Sequence, residues 1–434
     1  MARFLFTVVP ALGHINPTLP LAVELKKRGH QVGYATGPDL QSLITSEGLR
    51  FFPAGPPSWN TERSELSQKT LKHKGTLLSN YYFFKVLAEA NGMTISDLRS
   101  VVQQYKPDVL AVDSLTYAGA QIAEHFKLPW ATCCAIAGLI PTRDAPPFTS
   151  WGLPPSDNPL VKSLYAVIRI GQNLFFRLFD REFNQIRTSL GLSPAKLCAI
   201  ESTLSPYLIL ISSSEGFEYR RSDWPHQAHL IGPSPWGKSI DGNNSFEWID
   251  ALPKDKPLIY ATLGTVQIFR SLDFFNTVIK ALKDEPYQVV MSVGHGVDLS
   301  EFSDAPGNFR IKQFVPHAKI LSQASAVIHH GGLGIAQDSI YHGLPSVVVP
   351  ISQDHYESAR RCSAAGVSIT IPYSRLNPER LRITVRKVLS DKTIQESTKN
   401  LQAVFLNTNA GTTGATLLEK LAETKTPVYR TITK

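Results

Sequence analysis

The 434-residue chain has four cysteines, Cys133, Cys134, Cys198 and Cys362, and their spacing fits neither a metal site nor a disulfide framework. Reduced, mostly buried thiols are therefore expected. No stretch approaches the roughly 20 consecutive apolar residues that a membrane span requires. The chain also lacks low-complexity segments and charged tails. With 43% hydrophobic and 18% charged residues it has the balance of a soluble globular protein. A net charge of +8 would suit nucleic acid, but no run of Lys and Arg with interleaved aromatics is present. The surplus favours anionic small ligands or weak attraction to an anionic membrane surface. No acidic pair with metal-binding spacing stands at a strand end, so no metal is expected. The N-terminal run FLFTVVPAL is short and is interrupted by Pro10 and by Gly13-His14, which reads as a first buried strand and not as an export signal. A cytoplasmic location is expected.

What is present is an alternation of short β-branched runs with longer helical periods, the pattern of parallel sheets with crossover helices. RFLFTVV reads as a strand, INPTLPLAVELKKRG as a helix capped by Gly29, and QVGYAT and LRFFPAG as further strands. A long helix around 76–105 leads to the strand PDVLAVD, the helix YAGAQIAEHF and the strand PWATCCA. The second half repeats the style through PLIYATLG, YQVVMSVG, NFRIKQF, SAVIHH and PSVVVP. A chain of this length exceeds one ordinary core. The segment 233–257, rich in Pro, Gly, Asn and charge, is the natural boundary. Two doubly wound α/β domains follow, 1–233 and 258–434, joined by a linker over 234–257.

Residues 138–190 break the alternation. A Pro-rich loop, GLIPTRDAPPFTSWGLPPSDNP, precedes a helical stretch in which Leu164, Val167, Ile168, Leu174, Phe175, Leu178, Phe179 and Phe183 form a broad apolar stripe. Most of these side chains are expected to pack on their own domain.

The most informative block runs from 330 to 355, HGGLGIAQDSIYHGLPSVVVPISQDH. Gly331, Gly332 and Gly334 permit close backbone approach and positive φ. The following IAQDSIYH reads as a helix start, whose free N–H groups and positive dipole end suit a phosphate or diphosphate. His330 stands at the mouth of the turn, where it can donate to the same anion. Asp338 and Asp354 are acceptor-only groups when ionised, suited to ribose and sugar hydroxyls. A diphosphate flanked by two polyol binders describes a nucleotide sugar. Gly-rich strand-to-helix turns are common, and the ordered set at fixed spacing is what singles this one out: His330, two Gly, Asp338 eight residues on, Gly343-Leu344-Pro345, Pro350 and Asp354.

That block resembles the donor-binding signature of the UDP-glycosyltransferases. The resemblance implies the GT-B fold, two Rossmann-like domains facing a central cleft, with ligands at the carboxyl ends of the strands. It allows the last helix to cross back to the N-terminal domain. It also implies an inverting single displacement, without metal or cofactor, of a hexose from UDP-glucose to an acceptor hydroxyl. Such a transfer needs a base for the acceptor proton and stabilisation of the departing diphosphate. Gly13-His14-Ile15-Asn16-Pro17 resembles the family's catalytic G-H-x-x-P element, and Asp113, ending the strand PDVLAVD, matches its dyad acid. A neutral imidazole with an ordinary pKa of about 6.5 accepts a proton, and a buried acid orients it.

The remaining donor contacts follow by resemblance. Thr262-Leu263-Gly264-Thr265 matches S-x-G-[ST], bringing Gly264 and Thr265 to the phosphates. Phe314-Val315-Pro316-His317 matches the W-x-P-Q segment, with Phe314 as the stacking face and the backbone of Val315 at the base edge. Asp338 would hold ribose and Asp354 the hexose hydroxyls, with His355 beside them. The chain departs from the pattern at Ile335, where a phosphate-binding hydroxyl is missing, and at Asp338 in place of Glu. It departs again at His355 and His317, each in place of Gln, which leaves the sugar and the choice of UDP or TDP open. In the family the 138–190 region helps build the acceptor pocket, and Phe148 and Trp151 are the expected contacts of a lipophilic acceptor, a carotenoid or terpenoid alcohol before a phenolic. A monomer is expected, without nucleic acid and with peripheral membrane contact allowed. Two other readings stay open: a non-catalytic nucleotide-sugar-binding helper, against which His14 and Asp113 argue, and a nucleotide-sugar 2-epimerase, against which the apolar 138–190 region argues.

Overall fold

The computed structural model describes residues 1–57, 69, 77–148, 152–196, 198, 201–235, 246–264, 271–294, 297–351 and 354–431. Two compact units emerge. The first comprises Met1–Ser150, Pro155–Ser234 and Thr408–Lys434, and the second Trp151–Pro154 and Pro235–Asn407. Thr265 and Trp151 lie outside the described residues.

In the first unit seven strands, β1 (Arg3–Thr7), β2 (Gln31–Thr36), β3 (Arg50–Pro53), β4 (Val109–Asp113), β5 (Trp130–Cys134), β6 (Leu208–Ile211) and β7 (Ala228–Leu230), form one sheet in the order 3-2-1-4-5-6-7. Every pair is parallel. Continuous burial of β4 and β5 fits strands covered by helices on both faces. The order reverses between β1 and β4, where Thr7 is in register with Val112, so the loops leaving these two strands diverge and open a crevice.

The helix after β1 runs over Leu12–Lys27 and begins three residues before the expected Ile15. The reason is local: the His14 and Ile15 N–H groups both bond to the Ala11 carbonyl, at 2.9 and 3.0 Å, so Gly13-His14 already forms the first turn. Gly29, at φ +87°, ends the helix. Against this helix packs the chain's last one, Ala410–Thr424. A Cβ on Gly414 would fall 2.7 Å from Leu21 Cγ, so glycine is what permits the close approach. Arg28 Nη1 and His30 Nε2 clamp the two carboxylate oxygens of Glu419 at 2.7 and 2.8 Å.

The apolar stripe of 164–183 divides, contrary to the expectation that most of it packs inward. Phe179 and Phe183 are buried, and Phe84 meets Phe176 and Phe179 at ring distances of 5.0 and 5.8 Å. Ile168 and Phe175 are half-buried. Leu164, Val167, Leu174 and Leu178, however, are 50–65% exposed. The helix Pro159–Arg177 is apolar around most of its circumference, and its inward arc is the one carrying Tyr165 and Phe176.

In the second unit six strands, β8 (Leu258–Thr262), β9 (Gln288–Ser292), β10 (Phe309–Lys312), β11 (Ala326–His329), β12 (Ser346–Val348) and β13 (Ser368–Thr370), form a parallel sheet ordered 10-9-8-11-12-13. The reversal falls between β8 and β11, with Thr262 paired to His329. Within the segment read as linker, Glu247–Asp250 is a short helix whose Ile249 is wholly buried.

Candidate active site

Each unit gathers its candidate residues at its own strand-order reversal. In the first unit β1 leads into His14 and β4 ends on Asp113. Their side chains meet, His14 Nδ1 lying 2.7 Å from Asp113 Oδ1. An ionised carboxylate is acceptor-only, so Nδ1–H is the donor and the ring's basic lone pair sits on Nε2. Asp113 is 1% exposed, and its other oxygen accepts from the Leu115 N–H at 3.1 Å and the Thr116 hydroxyl at 3.3 Å. A buried carboxylate anchored on both oxygens can hold one tautomer and one ring orientation, and can stabilise an imidazolium. His14 keeps 12% of its side chain accessible, and a Cβ on Gly13 would meet nothing within 4 Å, which leaves open space at this turn.

Sequence reasoning did not single out Asn91, which braces this loop. Its amide donates to the Leu87 and Leu115 carbonyls at 2.9 and 3.1 Å and accepts from the Ala118 N–H at 2.9 Å. One buried side chain thus ties the long helix Leu77–Tyr105 to the turn after Asp113.

In the second unit β11 ends at His329 and the Gly-rich turn follows. Of its three glycines only Gly331 takes a positive φ, +92°. A Cβ there would fall 2.7 Å from the His355 carbonyl oxygen. Gly332 is the extended residue before the helix Leu333–Tyr341, which therefore starts two residues before the expected Ile335. Gly332 and Gly264, the latter at φ +73° after β8, both flank the His330 ring. Added Cβ atoms would lie 2.5 and 2.7 Å from it. Gly334 sits in the first helical turn with nothing within 4 Å of an added Cβ, so this turn is open where an anion would approach its N–H groups.

Three histidines cluster here. The His330 and His355 rings meet edge to face, 4.5 Å apart at 87°. Burial first, and the neighbouring histidines second, lower His329 and His330 to about 3. The same causes hold His355 well below the ordinary range. All three are neutral near pH 7, so His330 brings no cationic charge, and its ring is bonded to the Thr262 backbone. His329, which the sequence reading passed over, accepts the Gly331 N–H on Nδ1 at 3.1 Å and so holds the turn.

Ile335 is buried in the cluster that includes Tyr260, Val315 and Leu344, so the position lacking a hydroxyl serves the core. Asp338, on the same helix, is partly exposed, with Oδ2 3.7 Å from His317 Nδ1. His317 opens the short helix His317–Leu321 and lies 5.8 Å from the Tyr260 ring. Phe314 is half-buried, 6.2 Å from Phe246, while the Val315 side chain is core. Asp354 precedes the helix His355–Ala364, and the His355 side chain is buried.

Phe148 belongs to the first unit's core cluster and lines a small, partly open recess with Leu139, Ile140, Phe176, Arg169 and Glu201. Its lining is mixed, with Leu139, Ile140, Phe148 and Phe176 facing Thr142, Arg169, Gln172, Asn173 and Glu201. Burial lowers the Arg169 pKa, and its guanidinium donates to the Ala145 carbonyl.

Comparison with known proteins gives a consistent picture. Residues 277–421 match the family described as erythromycin biosynthesis protein CIII-like, C-terminal domain. The chain is 27% identical to 4'-demethylrebeccamycin synthase of Lentzea aerocolonigenes over 97% of its own length and 99% of the relative's. It is 25% identical to NDP-glycosyltransferase YjiC of Bacillus subtilis (strain 168) over 91% of each. Among solved structures, the glycotransferase of kitacinnamycin superposes with a TM-score of 0.71 at 23% identity, covering 96% of this chain and 98% of that one, which establishes the shared fold.

Proposed function

For a glycosyltransferase of the GT-B fold whose residues 277–421 are of the erythromycin biosynthesis protein CIII-like C-terminal type, we propose the inverting transfer of a hexose, glucose first, from UDP-glucose to a hydroxyl of a lipophilic small molecule. The observation that carries this reading is the pair formed by His14 and the buried Asp113 at 2.7 Å. Asp113 accepts from Nδ1–H, and Nε2 takes the proton of the acceptor hydroxyl as that oxygen attacks the anomeric carbon. The bond from the anomeric carbon to the diphosphate breaks in the same displacement, so the configuration inverts. The resulting imidazolium is stabilised by the carboxylate, and such a base is typically worth roughly 10²–10⁴ in rate.

The departing diphosphate is assigned to the turn at Gly331–Leu333 and the first turn of Leu333–Tyr341. The backbone N–H groups there would carry the charge without a metal, with the buried His330 ring shaping the turn between Gly264 and Gly332. Asp338 is assigned to the ribose, Phe314 and the Val315 backbone to the base, and Asp354 to the hexose, whereas His355, expected beside the sugar, is buried against His330. The acceptor class is read from the apolar side chains Leu139, Ile140, Phe148 and Phe176 on one side of the recess. A carotenoid or terpenoid alcohol is the first candidate and a phenolic the second.

Incubating the protein with UDP-glucose or TDP-glucose and a panel of lipophilic alcohols, with products read by mass spectrometry, tests the reading. A glycoside of the alcohol supports it. Donor binding without product, or a new sugar nucleotide formed without any alcohol, overturns it.

A further inference from the structure

We propose that the helix Pro159–Arg177 is a membrane-docking element that lays its outer face on an anionic lipid surface. Leu160, Leu164, Val167, Ile170, Leu174 and Leu178 are all exposed. They recur at spacings of three and four, so they form one continuous stripe down a helix about 28 Å long. Ser163 is the only polar side chain between them on that arc. Isolated exposed leucines are ordinary, but a contiguous apolar face of this length is a contact surface.

The occupant is identified by charge. None of the 19 residues of the helix is acidic, while Lys162, Arg169 and Arg177 share one flank of it. Arg181 stands exposed one turn further on. Arg169 turns inward to the Ala145 carbonyl and Lys162 is held by Asp144 and Asp157, leaving Arg177 and Arg181 at the exposed border. Arg177 is 56% exposed and its pair with Asp180 is long, 3.5 Å, so its guanidinium still reaches the surface. An apolar arc bordered by cations is the build of a helix that lies in the plane of a membrane interface. The whole chain, at +8, adds to the attraction for anionic lipid and opposes pairing of this face with a second copy. Among the described residues no helix is long and apolar enough to cross a membrane, so the contact is one of lying on the surface.

The inner side of the same helix supplies Arg169, Gln172, Asn173 and Phe176 to the recess at Phe148. Docking would therefore set that recess beside the lipid, where a poorly water-soluble alcohol is concentrated. The docking itself does not depend on the reaction proposed above, because it is read without donor or acceptor.

The test is flotation of the full chain with vesicles of phosphatidylcholine plus phosphatidylglycerol, and with vesicles of phosphatidylcholine alone. Binding is expected to the anionic vesicles and to weaken as salt shortens the Debye length from about 30 Å to about 8 Å. Leu164→Glu and Leu174→Glu, both at exposed positions that leave the core intact, should each weaken binding at least roughly ten-fold. Arg177→Gln and Arg181→Gln should each weaken it roughly five-fold on anionic vesicles and leave the melting temperature in place. Three results overturn the proposal. One is no flotation at low salt. Another is flotation that the leucine variants leave unchanged. The third is a stable dimer of the wild type that Leu164→Glu dissociates, which would assign the face to a second copy.

Discussion

Replacing Asp113 by Asn removes a charge while keeping the shape, and the structure gives the outcome. The carboxylate now makes three bonds, one oxygen to His14 Nδ1 at 2.7 Å and the other to the Leu115 N–H and the Thr116 hydroxyl. An amide can take two orientations. With its NH₂ toward Leu115, a buried backbone N–H faces a donor and is left unpaired, at a cost of about 1–3 kcal/mol. With its oxygen toward Leu115 that bond survives, and the NH₂ faces His14. The second orientation is favoured by about 5- to 150-fold on that cost alone. It forces Nδ1 to accept, so the proton moves to Nε2 and the ring can no longer take one from the acceptor. Asp113→Asn should therefore lower kcat by roughly 10²–10⁴ while leaving UDP-glucose affinity unchanged. Initial rates at saturating donor, with calorimetric titration of UDP-glucose in the absence of acceptor, measure the two separately. Exchanging charge-assisted bonds for neutral ones also costs about 1 kcal/mol or more, a few degrees in melting temperature, so the assay belongs well below the transition. An Asp113→Asn variant with wild-type kcat would refute the assignment of the pair.

Other outcomes follow from the second unit. Gly331→Ala should lose donor binding and destabilise by about 1–3 kcal/mol, since φ is +92° and a Cβ would press on the His355 carbonyl; an unshifted melting curve would contradict this. Gly334→Ala should do the opposite to stability, gaining about 0.5–1 kcal/mol in a helix turn with open space, yet weaken donor affinity if the diphosphate approaches there. Asp338→Ala should weaken UDP-glucose binding by about 1.5–3 kcal/mol by calorimetry without moving the melting temperature appreciably. The buried histidines give a pH dependence. His329 and His330 titrate near 3 when folded and near 6.5 when unfolded, so between these values the unfolded chain binds more protons. Stability should then be full above about pH 6.5 and fall below it by roughly 1.4 kcal/mol per pH unit for each histidine. Scanning calorimetry at pH 7 and pH 5 checks the sign, and a transition that holds steady or rises on acidification would contradict it.

Much of this was legible in the sequence because the site residues sit where the pattern is strongest. β1, β4, β8 and β11 are nearly continuous apolar runs, and the residues that leave them, His14, Asp113, Gly264 and His330, fall at the order reversals of two doubly wound sheets. The strands that escaped notice are short: LILI of β6 cannot be told from a buried helical segment by periodicity, and β7 and β13 are three-residue edge strands. Helix starts at Leu12 and Leu333 came earlier than read because glycines and a histidine joined the first turn, a boundary decided by backbone bonds and not by hydrophobic pattern. The inward arc of Pro159–Arg177 was not legible, since a helix apolar on several sides leaves tertiary packing to choose which one is buried. Asn91 did leave a trace, a lone amide four residues after Leu87 on a buried arc. His329 left only its adjacency to His330, which says nothing of the bond its ring accepts from Gly331.

The most direct test of the central claim is the product formed from UDP-glucose and a lipophilic alcohol by the wild type and by His14→Ala, with its anomeric configuration read by NMR and donor binding measured in both. The account predicts an inverted glycoside from the wild type, and from His14→Ala intact donor binding with transfer reduced roughly 10²–10⁴-fold. Wild-type turnover by His14→Ala, or a product that retains the donor's configuration, would contradict it.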